Sequence, residues 1–545
     1  MVPRYLPTPP MQSQTLAYTR PTGPEVTSIP SDVPDGCRVD LAAFFSRHGS
    51  RYPDTGAYRQ WTDLHDRVQA GMPFNVTDPK LAFLKTWKPV LSDPAAQIAQ
   101  VSPTGYKELT NMGAAWRMRY ADLYEYNTPF TMWANWYSSS PRVRDSARMF
   151  AHGFLGPNAT ELGTIYALNG SDPRSWMNSL APSDICPAYK DDGGSPYTDE
   201  WASVYLPPIG SRLNAAIEGG NFNFTQTDVS IIPYLCGFET QITGQRSPFC
   251  DIFTEDEILQ YEYAQDLRYW YGTGLGTDVE KNQMLPILDM LVRRFIDGPD
   301  VLYRTGTNST FNAPNIMASF SNDGQINQLV AATGVFDNEP QLPGNMMLPN
   351  RKFRASRLTP MRGTVAFERL VCDDDDVLPS SSPSSTVASA SSSPSTSPSG
   401  HGNATASGYG YGHASLSASE YGYGYEHTSS SPSTSLPPST HPSPAVDCTT
   451  TSKPYKPYKR ANTTATSTIY MRVLFNDVVY PVAGCTSGPG SSCPLEQYRA
   501  LVQSKLAVAG SFTKMCNTTN EDFASEPKAT FFMDNTVPWG NIIKP

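Results

Sequence analysis

The stretch Phe44–Gly56, FFSRHGSRYPDTG, sets one histidine between two arginines. Arg47, His48 and Arg51 lie within five residues, and Gly49 lets the backbone turn between them. Guanidinium groups are planar forks that match phosphate oxygens. A neutral imidazole is a good nucleophile near neutral or mildly acidic pH. The trio describes a pocket that grips a phosphoryl group while the imidazole attacks phosphorus. Such a pocket still needs a proton donor, more positive charge and a scaffold.

Three segments share one pattern that could supply the scaffold. VDLAAFF is an apolar strand that runs into SRHGSRYP. TMWANWY is a strand that runs into SSSPRVRDSARMFAHGF, whose second half has helical spacing. IMASF is a strand that runs into SNDGQINQLVAATGVF, which again turns helical. Each polar cluster sits where a strand ends, which is the ligand edge of an open α/β sheet, and helix N-termini there favour anions. GTVAFERLVC and STIYMRVLFNDVVYPVAGC alternate like strands, with Asn476-Asp477 as a turn. NQMLPILDMLVRRFIDGP has helical spacing and stops at Gly298-Pro299. The expected fold is α/β: an open, mostly parallel sheet with flanking helices, plus a smaller, mostly helical subdomain.

The expected organisation has four parts. Residues 1–36 form an extended N-terminal tail. Residues 37–150, 286–372 and 468–545 together form the α/β domain, and 151–285 form the helical subdomain. Residues 373–467 form a Ser/Pro/Gly/Tyr-rich insertion, which cannot bury enough apolar surface to offset its chain entropy. Four of the seven histidines, His401, His413, His427 and His441, fall in that insertion at wide spacing, as linker residues. His65 and His152 stand in unrelated settings, so no metal site is expected. Asp534-Asn535-Thr536 belongs to a C-terminal tail segment.

The 545 residues exceed one simple core. A net charge of −10 argues against a nucleic-acid partner. The nine cysteines include no CxxC pair, which disfavours zinc-ribbon and thioredoxin-like chemistry. Eight N-x-S/T sequons occur, at Asn75, Asn158, Asn169, Asn223, Asn308, Asn403, Asn462 and Asn517. With widely spaced cysteines they predict a secreted or wall-located, disulfide-bonded glycoprotein. No apolar leader is visible in the first thirty-six residues, and no run reaches transmembrane length.

SRHGSRYP resembles the signature of the histidine acid phosphatases, within the broader histidine phosphatase superfamily. The likeness runs along most of the chain from Cys37. CRVDLAAFFSRHGSRYP and SPFCDIFTEDEILQYEYAQDLRYWYGTG resemble fungal phytases. CTSGPGSSCPLEQY and the preceding YMRVLFNDVVYPVAGC resemble fungal acid phosphatases. The resemblance implies that His48 is the nucleophile and forms a phosphohistidine. It implies that Arg47, Arg51 and Arg142 bind phosphate, and that Asp323 protonates the leaving alcohol. Arg144, two residues beyond Arg142, is read as a structural or rim residue. Asn322 stands where the family usually has histidine. An amide still bonds phosphate but carries no charge, and its neutrality should raise the Asp323 pKa relative to the family. The resemblance also implies the disulfides Cys37–Cys372, Cys186–Cys516, Cys236–Cys250 and Cys485–Cys493, with Cys448 left over. It implies no cofactor.

The expected activity is hydrolysis of small phosphate monoesters at acidic pH, with no nucleic-acid or membrane partner. Phytase is the close alternative. Arg59 and Arg268 are the candidate rim cations for a many-phosphate substrate. Arg67 is also near, but Asp54, Asp63 and Asp66 offset this charge, and DLRYWYGTG holds one basic residue where fungal phytases often show a lysine pair. A further alternative is a weakened relative that binds phosphorylated ligands or a cell wall through the insertion. A mutase-like transferase fits the glycoprotein features less well.

Overall fold

The computed structural model describes residues 26–137, 140–373 and 467–545. Most of the N-terminal tail and nearly all of the insertion, with Cys448 and its four histidines, lie outside the described residues.

Nine strands build the main sheet. They are β1 (Cys37–Arg47), β2 (Phe130–Asn135), β3 (Gly163–Leu168), β4 (Ile316–Ser321), β5 (Thr364–Asp373), β6 (Ser467–Phe475), β7 (Val478–Tyr480), β8 (Cys493–Pro494) and β9 (Gly540–Ile543). The order is β7-β6-β5-β1-β4-β2-β3-β9, with β8 paired to β6. The central run β1-β4-β2-β3 is parallel. The flanking pairings, from β1 to β5 and beyond on one side and from β3 to β9 on the other, are antiparallel. This is an α/β sheet that is parallel where the polar clusters emerge.

β1 shows why the centre is stable. Its side chains alternate between two cores: Leu41, Ala43 and Phe45 join one cluster, while Ala42 and Phe44 join the other. A strand buried on both faces needs continuous apolar sequence, and LAAFF provides it. The longer helices are α1 (Thr55–Ala70), α2 (Pro103–Arg119), α3 (Arg142–Leu155), α4 (Tyr197–Ala215), α5 (Gln226–Thr243), α6 (Glu255–Gly272), α7 (Leu285–Asp297), α8 (Asp323–Ala332) and α9 (Leu495–Ala509). Residues of α2 and α3 cover the Phe44 face. Residues of α1, α4 to α9 and their connections supply the larger core on the other face. α7 stops at Gly298, whose φ of 83° lies in the left-handed region that costs glycine nothing.

Two features were not anticipated. Within the mostly helical segment 151–285, GTIYAL forms β3, paired with β2 inside the main sheet and almost entirely buried. Its run of six is too short to separate strand from buried helix by periodicity. At the C-terminus, Gly540–Ile543, within the segment 468–545 assigned to the α/β domain, pairs antiparallel with β3 as the outermost strand. Just upstream, Asp534 accepts a bond from the Gly306 amide. Asn476 and Asp477 both adopt positive φ in the β6–β7 hairpin, as a two-residue turn demands. The four disulfides are Cys37–Cys372, Cys186–Cys516, Cys236–Cys250 and Cys485–Cys493.

A buried charge cluster ties β5, β6 and the end of α2 together. Glu368 accepts from Arg472 Nε at 2.7 Å, from Arg119 Nη2 at 2.9 Å and from the Tyr120 hydroxyl at 2.6 Å. Glu368→Ala leaves Arg472 buried without its partner, so it should destabilise the fold by about 3–5 kcal/mol. Guanidinium unfolding of the variant beside the parent measures this. A loss under about 1 kcal/mol, the scale of a surface pair, would place the cluster among exposed ion pairs.

The insertion leaves and rejoins the sheet at one place. Asp373 and Ser467 are direct partners in the β5–β6 ladder. Deleting residues 376–466 and joining the ends with a short turn should therefore preserve folding and turnover. Thermal melting and a phosphate-release assay on the shortened chain would show it, and failure to fold would mean that the deleted segment contributes packing.

Candidate active site

The three strand ends meet as adjacent strands. β1 delivers Arg47 and then His48, β4 delivers Asn322 and Asp323, and the chain after β2 enters α3 at Arg142. The His48 amide donates to the Ser321 carbonyl at 3.1 Å, and the His48 carbonyl accepts from the Arg362 amide at 2.9 Å. The Gly49 amide donates to Ser146 Oγ on α3 at 3.0 Å. Gly49 is required by close approach: a Cβ there would overlap Leu109 and the Gly105 carbonyl of α2. The R-H-G sequence thus fits a loop pressed between two helices.

His48 is almost fully buried. Its Nδ1 lies 2.8 Å from the Gly49 carbonyl, an acceptor only, so Nδ1 carries the hydrogen. Nε2 then keeps its lone pair. Burial, followed by Arg142, Arg47 and Arg51, pushes the imidazole pKa well below its ordinary value. The ring is therefore held neutral, with the Nε2 lone pair free.

Arg47 is anchored by Nη1 to the Thr359 carbonyl at 2.7 Å, and its Nη2 pairs with Asp323 Oδ2 at 3.1 Å. Arg51 donates to the Tyr52 carbonyl at 2.9 Å and pairs with Asp54 at 3.3 Å. Asp54 also caps α1 through the Ala57 amide. Arg142 Nη2 donates to Asn322 Oδ1 at 3.4 Å. Burial and the neighbouring Arg51 bring the Arg142 pKa down to about 10. The Nε atoms of all three arginines are buried and have no hydrogen-bond partner. Buried donors left open in this way are ordinarily satisfied by a ligand or water, and three of them around a neutral imidazole suit an anion.

Asp323 begins α8, yet it does not cap that helix: Asn322 holds the cap position and makes no side-chain cap bond. Asp323 Oδ2 instead accepts from the Tyr269 hydroxyl at 2.6 Å and meets Arg47. Burial alone would raise its pKa. Arg47, the Tyr269 bond and Arg268 outweigh burial and hold it well below the usual carboxylate range. The neutral Asn322 is expected to leave this carboxyl less acidic than a histidine there would; the depression seen here comes from other cations and a phenol.

A cavity of about 170 Å³ opens beside these groups, lined in part by Arg47, Arg51 and Asp323. Of its other walls, Arg268 is the expected rim cation and the rest were not foreseen. Tyr234 and Phe238 come from α5, and Tyr261, Gln265, Arg268 and Tyr269 come from α6. The four α6 residues fall at i, i+4, i+7 and i+8, one face of a helix, and that spacing was the available signal. Arg268 lies over the Tyr269 ring, 5.3 Å from its centroid, and faces Asp191 at 3.5 Å. Arg59 does not reach this cavity; it is exposed on α1 beside Asp63. Arg144 stacks on Trp136, 4.2 Å from the ring centroid. His65 bonds Asp66, and His152 is exposed on α3.

Residues 38–383 match the family described as histidine phosphatase superfamily (branch 2). The chain belongs to that family. It is 29% identical over 365 residues to the thiamine-repressible acid phosphatase pho4 of Schizosaccharomyces pombe, covering 63% of this chain and 74% of the relative. It is 30% identical over 341 residues to phytase A of Aspergillus awamori, covering 58% and 69%. Among solved structures, the phytase from D. castellii shares the fold with a TM-score of 0.69 at 21% identity, covering 97% of this chain and 90% of the other.

Proposed function

We propose that this protein is a secreted acid phosphomonoesterase that works through a phosphohistidine. The observation that carries the reading is the oriented His48: Nδ1 is tied to Gly49, and Nε2 is free among three guanidiniums with open donors. Nε2 attacks phosphorus, the bond from phosphorus to the ester oxygen breaks, and Asp323 gives that oxygen its proton. Water then attacks phosphorus, the phosphorus–nitrogen bond breaks, the water's protons leave with the phosphate, and Asp323 regains its proton from solvent. The three arginines hold the equatorial oxygens throughout.

Asp323 is ionised in the empty site, and a bound ester changes that. The phosphoryl charge competes for Arg47 and raises the carboxyl pKa, or a monoanionic ester brings the proton itself. Both routes favour acidic pH.

Secretion is supported by the four disulfides and by the exposure of five of the six described sequons, with Asn169 half-buried. No helix among the described residues is long and apolar enough to cross a membrane.

The walls favour simple monoesters. Beyond the phosphate-binding arginines, Arg268 is the cation lining the cavity, while Tyr234, Phe238, Tyr261, Tyr269 and Met361 supply aromatic and apolar surface. The phytase reading draws on Arg268 and on the phytase relatives. Assays of p-nitrophenyl phosphate and phytate across acidic pH test both. The expected result is a higher kcat/KM for the aryl ester. A preference for phytate would select the second reading, and no turnover of either would sink the proposal.

A further inference from the structure

Two contacts distinguish the oxygens of Asp323. Arg47 Nη2 and the Tyr269 hydroxyl both meet Oδ2, at 3.1 Å and 2.6 Å. A proton on Oδ2 would face two donors, so the protonated acid carries its hydrogen on Oδ1. Tyr269 is well placed to impose this. Its ring is buried, and its carbonyl is fixed by Asn327 Nδ2 at 2.6 Å. The phenol itself stays protonated, because burial and the neighbouring Asp323 raise its pKa.

We propose that Tyr269 is a positioning residue that orients Asp323 and makes Oδ1 the oxygen that delivers the proton, an inference that rests on the reading of Asp323 as proton donor. The proton moves from Oδ1 to the ester oxygen as the bond to phosphorus breaks. The carboxylate that remains is held at Oδ2 by the Tyr269 hydroxyl and Arg47. The phenol thus stabilises the base that proton donation creates. It keeps its own proton and acts on the reaction through Asp323, not on the reacting atoms. Its influence belongs to the step in which the alcohol departs, and it should scale with how much that alcohol needs a proton.

The experiment compares two leaving groups. β-Glycerophosphate expels an alkoxide that must be protonated, whereas p-nitrophenyl phosphate expels a phenolate that leaves without help. Tyr269→Phe removes only the hydroxyl. It should lower kcat on β-glycerophosphate roughly tenfold or more while kcat on p-nitrophenyl phosphate stays within about threefold, with KM little changed on both. The aryl ester thereby also reports that the variant is folded. Asp323→Asn should show the same selectivity more strongly, and adding Tyr269→Phe to it should cost nothing further. An equal loss on both esters overturns the proposal. So does a further loss in the double variant, because Tyr269 would then act other than through Asp323. If Asp323→Asn retains full turnover of β-glycerophosphate, the donor reading itself fails, an outcome distinct from failure of Tyr269→Phe alone.

Discussion

Replacing His48 with alanine should abolish turnover and leave the fold intact. The backbone bonds of residue 48, to Ser321 and from Arg362, do not involve the imidazole, so the loop keeps its path. The arginines would still gather phosphate esters, and binding without reaction is the expected state. Loss of a nucleophile with its surroundings preserved costs a rate factor of roughly 10⁴ or more. Rapid quench of the parent with labelled ester should trap an acid-labile, base-stable phosphoprotein, and His48→Ala should trap none. Added imidazole, able to enter the space left by the ring, should restore part of the activity. A His48→Ala protein that turns over at the parental rate would falsify the phosphohistidine mechanism.

Arg47→Ala should produce the second largest loss. Arg47 has two tasks that share one guanidinium. In the proposed mechanism it offers donors to the phosphoryl group, and in the structure it holds Asp323 at 3.1 Å. Removing one preorganised donor of this kind lowers the rate roughly 10²- to 10³-fold. The pH profile should move as well, and its direction follows from the charge. Arg47 is the strongest influence holding the Asp323 pKa down. Without it that pKa rises, Asp323 stays protonated to higher pH, and the alkaline limb of kcat/KM shifts upward. Stability follows the same sign. A carboxylate with a depressed folded pKa stabilises above its unfolded pKa and loses that contribution as pH falls. The variant should therefore lose less stability on acidification than the parent. Arg47→Lys offers one nitrogen where two contacts are made, so it should fall between parent and alanine. An unshifted alkaline limb in Arg47→Ala would separate Arg47 from the proton donor.

The strand ends were readable because each is a local event. LAAFF, MWAN and IMASF are short apolar runs, and the polar residues that follow cannot continue them. Their convergence follows from the geometry of a parallel sheet, which brings the carboxyl ends of neighbouring strands to one edge. The Arg47, Arg51 and Asp323 side of the cavity is built where two of those strands, β1 and β4, end. The opposite wall is different in kind. Tyr234, Tyr261 and Tyr269 sit on helices that also fill the core, with Tyr263 and Trp270 as immediate neighbours. Sequence spacing gives each helix a face, but only packing decides which face meets the cavity. β3 escaped for a related reason. Buried strands and buried helices are both apolar, and GTIYAL lies in a stretch otherwise dominated by helical signals. The contact between Tyr269 and Asp323 spans 54 residues, and no local pattern announces it.

The pairing of Asp373 with Ser467 makes this fold a socket. Partners in an antiparallel ladder have Cα atoms about 5 Å apart. The entry and exit of segment 374–466 are therefore fixed at that spacing by the sheet itself, with Cys37–Cys372 clamping the strand one residue away. Doubling the length of a flexible connection at such a point costs only about 0.6 kcal/mol. The sheet should therefore tolerate many guests there, provided each presents two neighbouring ends. A binding domain with adjacent termini could replace the native segment, and the phosphatase site would travel with it to whatever surface that domain recognises.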